Sequence, residues 1–239
     1  MNLLIDVGNT STKLCVYQPN SGFHRVDFAW VEENLAAIEQ VAFARVRNSE
    51  LLDTILSLLT QNDITAREVS VTKQAFSVEC AYTNYSTLGV DRWLGIVAAE
   101  SLYPNSDVIV VDAGTAMTVD VLSASKRHLG GWITPGLALM QQSIVDKAPG
   151  VFSHESLHYE NFGTSTPSAL YSGCINCLCG AIEKARSYLS KIEFHAIDDL
   201  KVVMAGGDAH ILAEHIDMQV QVEPNLVFMG LNRFLMETL

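Results

Sequence analysis

Along the first thirty residues the apolar positions come in three short runs, at 2–7, 12–17 and 23–30. They are parted by Gly8-Asn9 and by Pro19-Asn20-Ser21-Gly22. Runs of this length between turn-forming residues predict three strands. Helical spacing then predicts helices at 32–40 and 49–59, the second placing Leu51, Leu52, Ile55, Leu58 and Leu59 on one face. Short strands are expected beside them at 41–46 and 68–72, and a helix at 92–102.

A second start appears near residue 107. Val108-Ile109-Val110-Val111-Asp112 reads as a buried strand ending in Asp, and Ala113-Gly114-Thr115-Ala116 as a turn. Strands follow at 117–122 and 128–134, with a polar turn at 123–127 between them. Asp6-Val7-Gly8-Asn9-Thr10 and Asp112-Ala113-Gly114-Thr115 therefore occupy the same place in the same three-strand unit, 106 positions apart. The remainder reads as helices at 135–147 and 165–191, a strand at 201–205, a helix at 208–215, a strand at 218–222 and a helix from 225. The chain is expected to be an α/β protein of two similar domains, 1–105 and 106–239, built from a duplicated βββαβα-type unit.

Charge narrows the function. The 239 residues hold 15 Lys+Arg against 27 Asp+Glu, a formal net charge of −12. Without a Lys/Arg stripe there is no footprint for tracking nucleic acid or docking on anionic lipid. Any polyanion must be met by backbone N–H groups and metal ions. No apolar run approaches a membrane span, and Leu3-Leu4-Ile5 is stopped by Asp6 before it resembles a signal peptide. Five cysteines, neither dense nor even in number, give no disulfide framework. A cytoplasmic protein is expected.

The paired Asp-x-Gly turns are the candidate chemistry. A carboxylate at a strand end can hold Mg2+, a cation that takes oxygen ligands. The adjoining Gly and hydroxyl residues let backbone N–H groups approach phosphate oxygens. One such turn is common; two at equivalent points of a duplication are specific. Gly206-Gly207-Asp208, between a strand and a helix, suits the nucleoside end of a nucleotide.

Taken together, these motifs resemble the actin/heat-shock-chaperone/sugar-kinase superfamily, with its actin-like ATPase (ribonuclease H-like) fold. Within it the chain resembles type III pantothenate kinases. The resemblance rests on Asp6-Val7-Gly8-Asn9-Thr10, Gly89-Val90-Asp91-Arg92, Asp112-Ala113-Gly114-Thr115-Ala116 and Gly130-Gly131-Trp132-Ile133-Thr134-Pro135-Gly136. Gly206-Gly207-Asp208-Ala209, Pro224-Asn225-Leu226-Val227 and Gly230-Leu231 complete it. It implies ATP-dependent phosphorylation of pantothenate, the first step towards coenzyme A. Asp6, Val7, Gly8, Asn9, Thr10, Ser11, Thr12 and Lys13 would hold the ATP phosphates, with Asp6 helping to bind Mg2+. Thr115, Gly206 and Gly207 would contact the nucleotide, and Asp112 a monovalent cation, potassium or ammonium. Asp91 would be the general base, and Tyr82, Gly89, Val90 and Arg92 would bind pantothenate. Thr166 would reach the substrate from the partner chain of a homodimer. The family pattern often has Pro at Tyr85 and Thr at Ala205, departures that bear on loop shape. Some relatives are transcriptional accessory factors, and a nucleotide-binding regulator is the competing reading. Such a protein is expected to lose the base, whereas this chain keeps Asp91. ATP and pantothenate are both anions, so the acidic balance demands Mg2+ and a monovalent cation, with Lys13 and Arg92 as local positive partners.

Two motifs are read as coincidental. His154-Glu155-Ser156-Leu157-His158 has the spacing of a zinc-protease helix but lies in an irregular stretch after Pro149-Gly150. Cys174, Cys177 and Cys179 lack a second ligand pair; Cys174 and Cys177 share a helix face, which Cys179 leaves, and the three are expected as small residues buried in a helix interface. Trp93 and Trp132 are expected as core anchors.

Overall fold

The structure is a computed structural model that describes residues 1–153, 158–193 and 196–237. The opening runs form β1 (Asn2–Val7), β2 (Thr12–Gln18) and β3 (Gly22–Val26), each antiparallel to the next. The third strand is shorter than the expected 23–30. Asp27 accepts a hydrogen bond from the Trp30 N–H at 2.9 Å and starts helix α1 (Phe28–Glu33). That side-chain cap satisfies a helical donor and turns the chain out of the sheet. The helix expected at 32–40 is accordingly α1 followed by a 3-10 turn at Leu35–Ala37.

Strand β4 (Gln40–Arg45) pairs parallel with β1. Ser49 caps α2 (Glu50–Gln61), whose Leu52, Ile55 and Leu59 are buried. Strand β5 (Ala66–Glu68) ends where the sequence pattern had a strand begin. A small hairpin of β6 (Gln74–Ala75) and β7 (Val78–Glu79) leads towards α3 (Val90–Leu102). The first sheet runs β3-β2-β1-β4-β5. Its middle strand β1 is apolar at four of its six positions and buried from Leu3 to Val7, being covered on both faces.

The second sheet repeats the design. Strands β8 (Val108–Ala113), β9 (Ala116–Leu122) and β10 (His128–Pro135) are followed by α4 (Leu137–Val145) and α5 (Thr166–Glu193). Strand β11 (Lys201–Ala205), α6 (Ala209–Glu214), β12 (Gln221–Val222) and α7 (Leu226–Met236) complete the chain. The sheet order β10-β9-β8-β11-β12 matches the first position for position. Asp6 lies opposite Ala44 on β4, and Asp112 opposite Ala205 on β11, so the duplication holds in register.

The chain divides into two units: Met1–Pro104 with Lys126–His128 and Asn225–Leu239, and Asn105–Ser125 with Leu129–Pro224. The expected contiguous halves differ from this in one main respect, since α7 packs in the first unit. Gly230 makes that possible: a Cβ there would run into the Leu94 carbonyl, so only glycine lets α7 lie this close to α3. Asn2 also donates to Asn232 at 2.8 Å. The first core gathers Leu3, Ile5, Phe43, Leu52 and Ile55; the second gathers Ile109, Val111, Ile175, Leu178 and Val202. Each such side chain is worth about 2 kcal/mol of burial.

Trp93 is fully buried, as expected, but Trp132 is 38% exposed on β10. Cys174 and Cys179 are buried, as expected, whereas Cys177 is exposed. Burial pushes the Cys179 thiol up to about 11, away from reactivity. His154 and Glu155 lie outside the described residues; His158 is exposed. Among the described residues no helix is long and apolar enough to cross a membrane.

Candidate active site

In the first unit, β1 delivers Asp6, 7% exposed, to the head of a four-residue turn. The Gly8 N–H closes that turn on the Ser11 carbonyl at 3.1 Å. Asn9, Thr10 and Ser11 are exposed, and β2 then brings exposed Lys13 opposite Asp6 in the antiparallel register. A buried carboxylate, a glycine turn and a lysine are thereby gathered at one strand end. The turn is braced from behind. Thr12 and Ser49 share a 2.8 Å hydroxyl bond, and Arg47 Nε donates to the carbonyls of Gly8 and Asn9, both at 2.9 Å.

Also in the first unit, Gly89 precedes α3, and Asp91 and Arg92 stand in its first turn. Asp91 Oδ1 accepts from the Arg92 N–H at 2.8 Å, folding the carboxylate over the helix start. A Cβ at Gly89 would lie 2.5 Å from that oxygen, which explains the glycine. Arg92 is buried, and its Nη1 donates to the Tyr82 hydroxyl at 3.1 Å, with the guanidinium 5.8 Å from the ring centroid. Tyr82 stacks on His128 at 6.2 Å, and the Ala81 N–H donates to His128 Nδ1 at 3.4 Å. Tyr82, Gly89, Val90, Asp91 and Arg92 are thus one local constellation.

In the second unit, Asp112 is half-buried near the end of β8, and Thr115 is exposed in a two-residue turn. Two segments converge on that turn. The Gly136 N–H donates to the Thr115 carbonyl at 3.0 Å, and the Asp208 N–H to the Ala113 carbonyl at 3.0 Å. Gly206 has φ +96°, and a Cβ on it would strike the Ala113 carbonyl and lie 2.6 Å from Asp112 Oδ1. Burial pushes the Asp208 carboxyl up, against a backbone hydrogen bond from Leu137 that pulls it down. Thr166, exposed, opens α5 in the same unit, away from these contacts in sequence. Arg47 and His128 are members of these constellations that motif spacing does not single out.

The donor set fits a metal carried in by substrate. Among the described residues no group of three or more His, Cys, Asp or Glu forms a cage. Asp6 supplies one buried carboxylate, which suits a Mg2+ ion whose other ligands are phosphate oxygens and water.

Residues 2–187 match the sequence model of a family described as type III pantothenate kinase. A type III pantothenate kinase of Pseudoalteromonas translucida is 41% identical over 235 residues, covering 97% of this chain and 95% of the relative. One from Marinomonas sp. is 35% identical, covering 95% and 92%. Among solved structures, a candidate Baf family transcriptional activator from Campylobacter jejuni superposes with a TM-score of 0.59 at 24% identity, covering 97% of this chain and 96% of that one. A candidate 2-dehydro-3-deoxygalactonokinase from Sinorhizobium meliloti superposes with a TM-score of 0.57 at 11% identity over the full length of both chains. At those identities the two structures speak for the fold alone, which is the two-domain actin-like ATPase fold. The sequence matches go further: the chain belongs to the type III pantothenate kinase family.

Proposed function

We propose the following division of labour for an enzyme that transfers the γ-phosphoryl group of ATP to the primary hydroxyl of pantothenate, on the way to coenzyme A. The turn from Asp6 to Lys13 takes the phosphates, with Asp6 oriented for Mg2+, which supplies charge neutralisation on the phosphates when bound. Gly206, Gly207 and Thr115 receive the nucleotide, and Asp112 serves a potassium or ammonium ion. Tyr82, Gly89, Val90 and Arg92 seat pantothenate, the buried guanidinium being the natural partner of its carboxylate. Asp91 accepts the hydroxyl proton as the oxygen bonds to phosphorus and the bridging P–O bond breaks to release ADP. The observation that carries this reading is the Asp91–Arg92–Tyr82 constellation. In it the Asp91 carboxylate is held by the Arg92 main-chain N–H, while the buried Arg92 guanidinium holds the Tyr82 hydroxyl.

A second copy of the chain completes the site. Trp132, Ile133, Leu139, Ile144, Tyr188 and Ile192, on β10, α4 and α5 of one unit, are large apolar side chains left 38–64% exposed. Covering them with a partner stabilises both copies and presents Thr166 across the interface. We take the reaction to be cytoplasmic, in keeping with its use of ATP.

The test is pantothenate-dependent ADP release. It is expected to need Mg2+ and to rise when potassium or ammonium replaces sodium. Asp91→Asn should lower kcat by 100-fold or more, the general-base contribution being about 10²–10⁴, with nucleotide affinity little changed. An active Asp91→Asn enzyme removes Asp91 as the base; wild-type protein inert towards pantothenate removes the reading.

A further inference from the structure

We infer that Arg47 is a positioning residue for the phosphate turn, setting the direction of its backbone N–H groups by holding its carbonyls; this rests on the reading of that turn as the ATP-phosphate site. Arg47 follows β4 in an exposed connection, and two of its guanidinium nitrogens are spent on main chain. Nε donates to the Gly8 and Asn9 carbonyls at 2.9 Å each, and Nη1 to the Asn48 carbonyl at 2.9 Å. Every peptide bond described is trans, so the N–H of each peptide points opposite to its C=O. Pinning the Gly8 carbonyl therefore aims the Asn9 N–H away from Arg47, and pinning the Asn9 carbonyl does the same for the Thr10 N–H. Two consecutive N–H groups then face one side, the arrangement that receives an anion. The Asn9 N–H has no acceptor among the described residues.

The charge is as informative as the geometry. Arg47 has no carboxylate within ion-pair distance among the described residues, in a chain of net charge −12. A cation left uncompensated there polarises the two peptides it holds, making their N–H groups better donors. The 46–49 connection grips the turn elsewhere too: the Val46 N–H donates to the Val7 carbonyl at 3.0 Å, and Ser49 bonds Thr12. Lysine cannot reproduce the planar, multi-donor contact that a guanidinium makes.

The experiment compares wild type with Arg47→Ala, Arg47→Gln and Arg47→Lys. It measures KM for MgATP, KM for pantothenate, kcat, and the affinity for a fluorescent ATP analogue in the absence of pantothenate. Arg47→Ala should raise KM for MgATP and the analogue Kd about tenfold, equivalent to ~1.4 kcal/mol. KM for pantothenate should stay within twofold. Arg47→Lys should recover only part of the loss, and millimolar guanidinium ion should restore part of the affinity of Arg47→Ala. Nucleotide affinity within twofold of wild type in both Arg47→Ala and Arg47→Gln overturns the inference. Equal losses for MgATP and pantothenate also overturn it, because they report general damage. The kinase reading fails separately, if wild-type protein binds the analogue but forms no ADP with pantothenate.

Discussion

At the scale of single residues, the duplication made the two strand-end carboxylates legible, because Asp6 and Asp112 recur in matching strings. Partners far apart in sequence were not legible. Nothing in spacing ties Arg92 to Tyr82, or Arg47 to Gly8, since those bonds exist only once helix and strand are packed. Glycines lie between these cases: Gly206-Gly207 reads as a turn, while the reason for Gly206 is steric and appears only in three dimensions. Its positive φ disfavours any side chain, and its Cβ would occupy the Ala113 carbonyl. Gly206→Ala should therefore cost about 2–4 kcal/mol, left-handed strain adding to overpacking. Urea unfolding of the variant measures the cost, and a loss below 0.5 kcal/mol would show that the turn relaxes freely. Because the displaced atoms include Asp112 Oδ1, nucleotide affinity should fall with stability.

At the scale of elements, type was read well and boundaries were not, for local reasons. The run at 23–30 looks like one strand until Asp27 is seen to cap α1, and 218–222 shrinks to the two residues of β12. The position of α7 was beyond sequence reading, since packing on α3 needs Gly230 and a polar hub that spacing does not announce. That hub is Glu100 on α3, only 6% exposed. Lys126 Nζ lies 2.7 Å from Oε1, and Arg233 Nη1 of α7 lies 2.6 Å from Oε2. Burial alone would push the Glu100 carboxyl up, but hydrogen bonds and charge from Lys126 and Arg233 outweigh it and hold it below its ordinary value. A carboxyl depressed in the folded state contributes stability that is fully present above its unfolded pKa, about 4.3. That contribution is lost as pH falls through the lower, folded value. Glu100→Gln leaves two cations without their counter-charge and should cost about 3 kcal/mol at pH 7. The gap between the variant and wild type should narrow progressively as pH falls below about 4.3. Thermal melts of both proteins from pH 7 to pH 3 check this; a gap at pH 3 as wide as at pH 7 would assign the loss to packing instead.

At the scale of the whole molecule, a net charge of −12 and a ledge of exposed apolar side chains pull on the same design question. Anionic substrates are drawn to an acidic protein only where cations and oriented N–H groups wait. In the first unit the proposed places of this kind are the Gly8–Ser11 turn with Lys13 beside it, and the buried Arg92. Thr166 belongs to the second unit, at the start of the helix that also exposes Tyr188 and Ile192. If a second copy covers that face and lends Thr166 to its neighbour, each reaction centre draws Asp91 from one chain and Thr166 from the other. Symmetry then makes a sharp demand. Asp91→Asn and Thr166→Val should each be poorly active alone. When the two are mixed, dissociated and reassociated at random, half of the dimers are hybrids. Each hybrid contains one centre with both wild-type groups and one with neither. About a quarter of wild-type kcat should return, with a particle mass near twice 26.2 kDa. A mixture no more active than the mean of its parents would mean that Thr166 serves its own chain. In that event the apolar face would still call for a cover, but the cover would carry no part of the chemistry.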